Sequence, residues 1–158
     1  MPLADPALRP RLDMQRTFEA PRALVWRAWT QPEAMVLWMG PVEYPAFSVT
    51  LDFRVGGRWR IGLKSPETGD ELWQGGVYEE IVEPERIAFT FKWEGDNHED
   101  GPPVDTRVTV RLTETHDGRT QMDFTHEGLK NETSRDGHKY GWNSTVDRLE
   151  SWLAANPD

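Results

Sequence analysis

Two histidines carry the most chemistry this sequence offers. His126 ends a run that alternates apolar and polar residues, and His138 lies in a later run with helical spacing. Imidazole is the side chain whose ordinary titration falls near neutral pH, which suits it to acid–base work or to holding a ligand. Counting by two from Met122 and Phe124 puts His126 on the inward side of its strand. Counting back by helical steps from Leu153, Leu149, Val146 and Trp142 brings His138 onto the same apolar stripe, with Gly141 and Thr145 beside it. A polar group on an apolar face costs a few kcal/mol unless it is partnered. These imidazoles therefore need hydrogen bonds or a wet cavity. Two readings stand: with Trp142 they line a ligand pocket, or they form a clasp that pins the helix start to the strand end.

The aromatic residues pose the same choice. Trp29, Trp38, Phe53, Trp59, Trp73, Phe89, Phe91 and Trp93 are candidates for an aromatic-walled pocket, which would be mostly apolar with few polar groups. The alternative is a plain core. Gly137 and Gly141 fall inside the helical stretch, where each costs up to about 1 kcal/mol relative to alanine. That cost implies close packing on a sheet or space kept open for a guest. Asp96, His98, Glu99 and Asp100 have metal-ligand chemistry, but a loop bearing Gly95, Gly101 and Pro102 offers no fixed geometry for a hard cation. We read it as solvated and expect no metal. Asp123 or Glu80 with a histidine could do acid–base work, yet no Gly-Xaa-Ser-Xaa-Gly elbow or His-Glu-Xaa-Xaa-His motif is present. No catalytic residue is assigned and no cofactor is expected.

The element that must position these residues is one long amphipathic helix over 134–155. Nearly everything before it reads as strand. Residues 1–10, with Pro2, Pro6 and Pro10, read as a loose arm. Arg11 to Glu19 form a first strand, with Leu12, Met14, Arg16 and Phe18 on one side. Pro21 opens a short helix, and Thr30-Gln31-Pro32-Glu33 has the pattern of a capping box for a second, stopped at Gly40-Pro41. From Ala46 the period turns to two: Phe47 to Phe53, a turn at Gly56-Gly57, Trp59 to Leu63, Glu71 to Val82, and Ile87 to Trp93. Gly75-Gly76 inside the fourth strand suggests a bulge or bend. Val104 to Glu114 and Thr120 to Glu127 then pair across Asp117-Gly118. A single domain over 11–158 accounts for the whole pattern.

Composition narrows the classes. Net charge is −9 and no basic run exists, which argues against nucleic acid as partner. No stretch approaches the ~20 apolar residues of a membrane span, the N-terminus lacks the apolar region of a signal peptide, and there are no cysteines. A cytoplasmic protein with no membrane partner is expected. Eight tryptophans in 158 residues supply large rings for a thick core or a cavity wall.

The order of strand, two short helices, six strands and long helix matches the helix-grip architecture of the START and birch-pollen-allergen superfamily. Phe18-Glu19-Ala20-Pro21 with Val25-Trp26-Arg27-Ala28-Trp29-Thr30 resembles the opening of the heat-shock protein 90 ATPase-activator homologue family, that is, the family of that protein's C-terminal domain. Trp38-Met39-Gly40-Pro41 is similar to the family's Trp-Trp-Gly-Pro, with methionine for the second ring. Gly56-Gly57-Arg58-Trp59, Glu80 to Arg86, Thr125-His126-Glu127-Gly128 and His138-Tyr140-Gly141-Trp142 are similar to it as well. The likeness runs from about residue 12 to 154. It implies an α+β helix-grip fold of about seven antiparallel strands with a pocket between sheet and helix. The expected function is binding of a small hydrophobic or aromatic molecule there. A cyclase, aromatase or hydrolase using the same cavity is the second class implied. A co-chaperone that binds its chaperone partner is the third, and this chain is too short for the additional N-terminal domain of the family's namesake.

Overall fold

The computed structural model describes residues 8–95 and 102–157. Over them the chain builds β1 (Leu12–Phe18), α1 (Arg22–Thr30), α2 (Pro32–Met35), β2 (Ala46–Leu51), β3 (Arg58–Lys64), β4 (Glu71–Val82), β5 (Arg86–Trp93), β6 (Thr106–Glu114), β7 (Thr120–Glu127) and α3 (Glu132–Ala155). This is the α+β helix-grip: one curved antiparallel sheet in the order β1-β7-β6-β5-β4-β3-β2, with α3 across its inner face. Strands β2 to β7 form a meander in which each joins its chain neighbour. The α1–α2 excursion carries the chain from one edge of the sheet to the other.

Alternation sets which residues face α3. On β1, Leu12, Met14, Arg16 and Phe18 lie opposite His126, Phe124, Met122 and Thr120 of β7, so that face is shared. Leu12, Phe18, Met122, Phe124 and His126 are buried. Arg16 sits on the same face but reaches the rim, where its guanidinium meets Asp147 of α3 at 2.9 Å. From the helix side, Trp142, Thr145, Val146, Leu149 and Leu153 are the buried positions. Under α1 and α2, Trp29 meets Trp38 edge to face at 4.9 Å. Trp38 is fully buried and donates its indole N–H to the Ala28 carbonyl at 3.1 Å.

Three local expectations are corrected. Thr30 does not cap α2: it is the last residue of α1, and its hydroxyl donates back to the Trp26 carbonyl at 2.9 Å. Gln31 is the N-cap, without a side-chain bond, and Pro32 starts the helix. Helix α3 begins at Glu132 rather than at Ser134, because Asn131 caps it by accepting from the Ser134 N–H at 2.8 Å. The register slip between β4 and β5 falls between Tyr78 and Glu80, not at the glycine pair. Gly76 instead permits a close approach, since a Cβ there would stand 1.8 Å from the Thr90 carbonyl oxygen. That carbonyl accepts the Trp59 indole N–H, and the Thr90 hydroxyl accepts from the Val77 N–H.

Among the described residues no helix is long and apolar enough to cross a membrane. The acidic stretch Asp96 to Asp100 and residues 1–7 of the expected arm lie outside the described residues. Arg9 and Pro10 are tied to the end of β7: Arg9 donates to the Gly128 carbonyl at 2.9 Å, and Pro10 accepts from the Leu129 N–H at 3.0 Å.

Candidate functional site

Between α3 and the inner faces of β3, β4 and β5 lies a cavity of about 780 Å³. The sheet contributes Leu63, Leu72, Gln74, Phe91, Trp93 and, from β6, Thr106. Strand alternation puts these side chains inward while Arg60, Lys64, Glu71 and Lys92 point to solvent. The helix contributes Ser134, Gly137, His138, Gly141, Trp142 and Thr145, which recur at spacings of three and four on one face. Met39, Gly40, Pro41, Glu43 and Tyr44 of the loop after α2, with Pro103, Val104, Leu129 and Lys130, form the rim.

The two glycines decide between packing and space. A Cβ built on Gly137 or Gly141 meets nothing within 4 Å among the described residues. Close packing against the sheet is therefore excluded at both, and the space beside them belongs to the cavity.

The histidines stand in two layers. His126 is fully buried behind the cavity wall. Its Nδ1 accepts the Trp142 indole N–H at 3.0 Å, and its Nε2 lies 2.8 Å from the Thr106 hydroxyl, which itself donates to the Phe91 carbonyl. An indole nitrogen only donates, so His126 carries its proton on Nε2 and gives it to Thr106. Burial, and secondly the neighbouring His138, push the His126 pKa well below the ordinary histidine value. This residue is the clasp. His138 lines the cavity itself. Its Nε2 accepts the Trp93 indole N–H at 2.9 Å, and its Nδ1 donates to the Ser134 carbonyl at 2.7 Å. Each imidazole is thus oriented by an indole, and the rings stand edge to face with centroids 5.1 Å apart.

Of the sequence-derived candidates, Phe91, Trp93, His138, Gly141, Trp142 and Thr145 line this cavity. The others are elsewhere. Trp29, Trp59 and Phe89 surround a separate void of about 20 Å³, room for no more than a water-sized sphere. Trp38 is in the core beneath α1. Phe53 packs edge to face on Trp26 and Tyr78. Trp73 is on the outer face because it alternates with the inward Leu72 and Gln74, and Gly62 opposite it leaves room for the ring. There it stacks under the Arg60 guanidinium, 3.9 Å from the ring centroid. The carboxylates considered for acid–base work are also outside: Asp123 accepts from Gln15 and Gln121, and Glu80 pairs with Arg86 and Arg107. Among the described residues no three His, Cys, Asp or Glu side chains converge in a way that could hold a metal ion.

Two features escaped the sequence reading. Tyr140, Ser144 and Arg148 form a second stripe on α3, at four-residue steps, that fastens the rim loop. Tyr140 donates to Glu43 at 2.8 Å, and Ser144 accepts from the Val42 N–H at 3.0 Å. Arg148 donates to the carbonyls of Met39 and Gly40 at 2.8 Å and of Leu37 at 3.2 Å. Burial pushes the Arg148 pKa down, and its charge is answered by carbonyl dipoles. The second feature is Gln74, a buried amide in an otherwise apolar wall. Its lone polar character among Leu72, Gly76 and Tyr78 was a readable signal.

A family model described as Activator of Hsp90 ATPase homolog 1-like protein matches residues 19–154. Among solved structures, a protein of Rhizobium leguminosarum is 27% identical, covering 93% of this chain and 95% of its own, with a TM-score of 0.75. A protein of Chromobacterium violaceum is 25% identical over 90% of this chain and 96% of its own, with a TM-score of 0.77. The AHSA1 protein of Silicibacter pomeroyi, 20% identical over 92% and 99%, has a TM-score of 0.79 and supports the fold alone. No curated protein matches the chain.

Proposed function

The chain belongs to the Activator of Hsp90 ATPase homolog 1-like family, and from that premise we propose that it binds a small, largely apolar or aromatic molecule between its sheet and α3. The observation that carries this reading is the open space in front of Gly137 and Gly141, in a cavity of about 780 Å³. Pockets for small molecules run roughly 300–1,000 Å³ and are apolar with a few placed polar groups. Leu63, Leu72, Phe91, Trp93 and Trp142 supply the apolar wall, and His138, Gln74 and Thr145 the polar points. The indoles of Trp93 and Trp142 border the space and report on whatever enters it.

The test is native mass spectrometry of the protein as purified, then tryptophan-fluorescence titration with a panel of hydrophobic ligands. A Gly141→Phe variant runs alongside, its ring placed where the guest would sit. A co-purifying mass, or saturable quenching that Gly141→Phe reduces at least tenfold, is the expected result. A panel without response overturns the reading, as does quenching that the filled variant leaves unchanged.

A further inference from the structure

The geometry points to Gln74 as the residue that chooses the guest's polar end. The guest it fits is an aromatic-sized apolar molecule bearing one uncharged amide or lactam group, seated against the Gln74 carboxamide. This rests on the binding reading above and sharpens it.

Gln74 lies in the first third of β4, opposite Ile61 of β3 and Trp93 of β5, and is 3% exposed. It borders both the large cavity and the small void behind it, which places it at the inner end. Six polar side chains are buried among the described residues, and five have partners. Ser65 accepts from Thr68, Thr109 from Arg107, Thr120 donates to Ala20, His126 bonds Thr106 and Trp142, and Thr145 donates to Gly141. Gln74 is the sixth. Its side-chain amide makes no hydrogen bond with any described residue.

An amide kept from water without a partner is costly, and the Gln74 carboxamide, which is not among the fully occluded unpartnered groups, keeps its accessible surface toward the cavity. The wall around it is apolar, so leucine or methionine would fill the position without that penalty. A glutamine carboxamide presents an acceptor and a donor side by side, and the edge of another amide or a lactam answers both while staying uncharged near neutral pH. An ionised end group is disfavoured. The titratable chains that border the cavity are Glu43, Lys130 and His138: Glu43 and Lys130 are engaged with Tyr140 and with the Pro102 carbonyl, and both ring nitrogens of His138 are taken by Trp93 and the Ser134 carbonyl. A carboxylate held against Gln74 would lose its water with no cation beside it.

Isothermal titration of the full chain with naphthalene, 2-naphthamide and 2-naphthoate tests this. The amide should bind about tenfold or more tightly than the other two, the worth of one well-made buried hydrogen-bond pair. In Gln74→Met that preference should vanish while naphthalene binding persists. Naphthalene bound with no preference for the amide overturns the role of Gln74 and leaves the binding reading standing, as does a preference that survives in Gln74→Met. No binding of any probe overturns both. Should the variant fold poorly, nitrogen-15 spectra of the unaltered protein give the same answer. The Gln74 side-chain NH2 pair should shift with 2-naphthamide and stay fixed with naphthalene, and a pair unmoved by the amide refutes the assignment.

Discussion

Replacing Gly137 and Gly141 by alanine should make this protein more stable, which few interior substitutions do. Glycine in a helix interior is up to about 1 kcal/mol less favourable than alanine, chiefly because the unfolded chain loses more freedom on ordering it. The gain is realised only where the new methyl group meets nothing. At both positions a Cβ has no described neighbour within 4 Å, and neither glycine has the positive φ that would forbid a side chain. Each single variant should therefore gain about 0.5–1 kcal/mol, and the pair about 1–2 kcal/mol. For a chain of 158 residues that is roughly 2–4 °C in Tm per kcal/mol. Urea unfolding followed by tryptophan fluorescence, with a thermal scan by circular dichroism, measures both quantities. Methyl groups take little of a cavity of about 780 Å³, so ligand binding should persist in the alanine variants. A midpoint that falls in either single variant would refute the reasoning. It would mean that the sheet closes onto the helix and that the glycines are there for contact.

Two further outcomes follow from the clasp and the rim. The His126 pKa is lowered on folding, by burial first, so the unfolded chain binds more protons as pH falls through the ordinary histidine range near 6.5. Stability should be complete above that value and decline below it, by up to about 1.4 kcal/mol per pH unit, while His126→Gln flattens the slope between pH 6.5 and 5. An unchanged slope in the variant would remove His126 as the cause. Arg148→Met deletes bonds to the carbonyls of Leu37, Met39 and Gly40 and should cost about 1.5–3 kcal/mol by urea unfolding, since the donor is charged. A loss within about 0.5 kcal/mol would show that the rim loop is held by other means.

What could be read from the sequence divides along a physical line. Period alone located every strand and the long helix, because burial of one face leaves its mark at each second or each third and fourth residue. His126 was placed inward by parity, and the register Leu12↔His126 and Val108↔His126 bears that out. The pocket wall was less legible. Parity cannot say how far along the sheet the helix withdraws, so Trp59, Phe89 and Phe91 look alike in sequence. Only Phe91 of these lies under the stretch of helix that contains the glycines. Trp73 misled because a large ring on the outer face has the same composition signal as one inside; its clue was Gly62, a residue on a different strand. The anchoring roles of Tyr140, Ser144 and Arg148 left no mark in the sequence, because their partners lie on a loop with no pattern of its own.

The glycines and the anchors belong to one argument about α3. A helix that carries Gly137 and Gly141 in its first half is weakened by about 2 kcal/mol at the place where it leaves the sheet. Four interactions offset this within the same turns. The Asn131 cap contributes about 1 kcal/mol, and the Trp142–His126 bond ties the next turn to β7 for a similar amount. Tyr140 and Ser144 fasten the outer side to the rim loop. The helix is thus held at its cap, along its flank and, on the face that looks into the cavity, through the rings of His138 and Trp142, while Gly137 and Gly141 leave the rest of that face open. Side chains at 137 and 141 could have added further anchors, but only by occupying the space. Anchors on the flank spare those two positions, and Tyr140, bonded to the Glu43 carboxylate from the position beside Gly141, shows the division most directly.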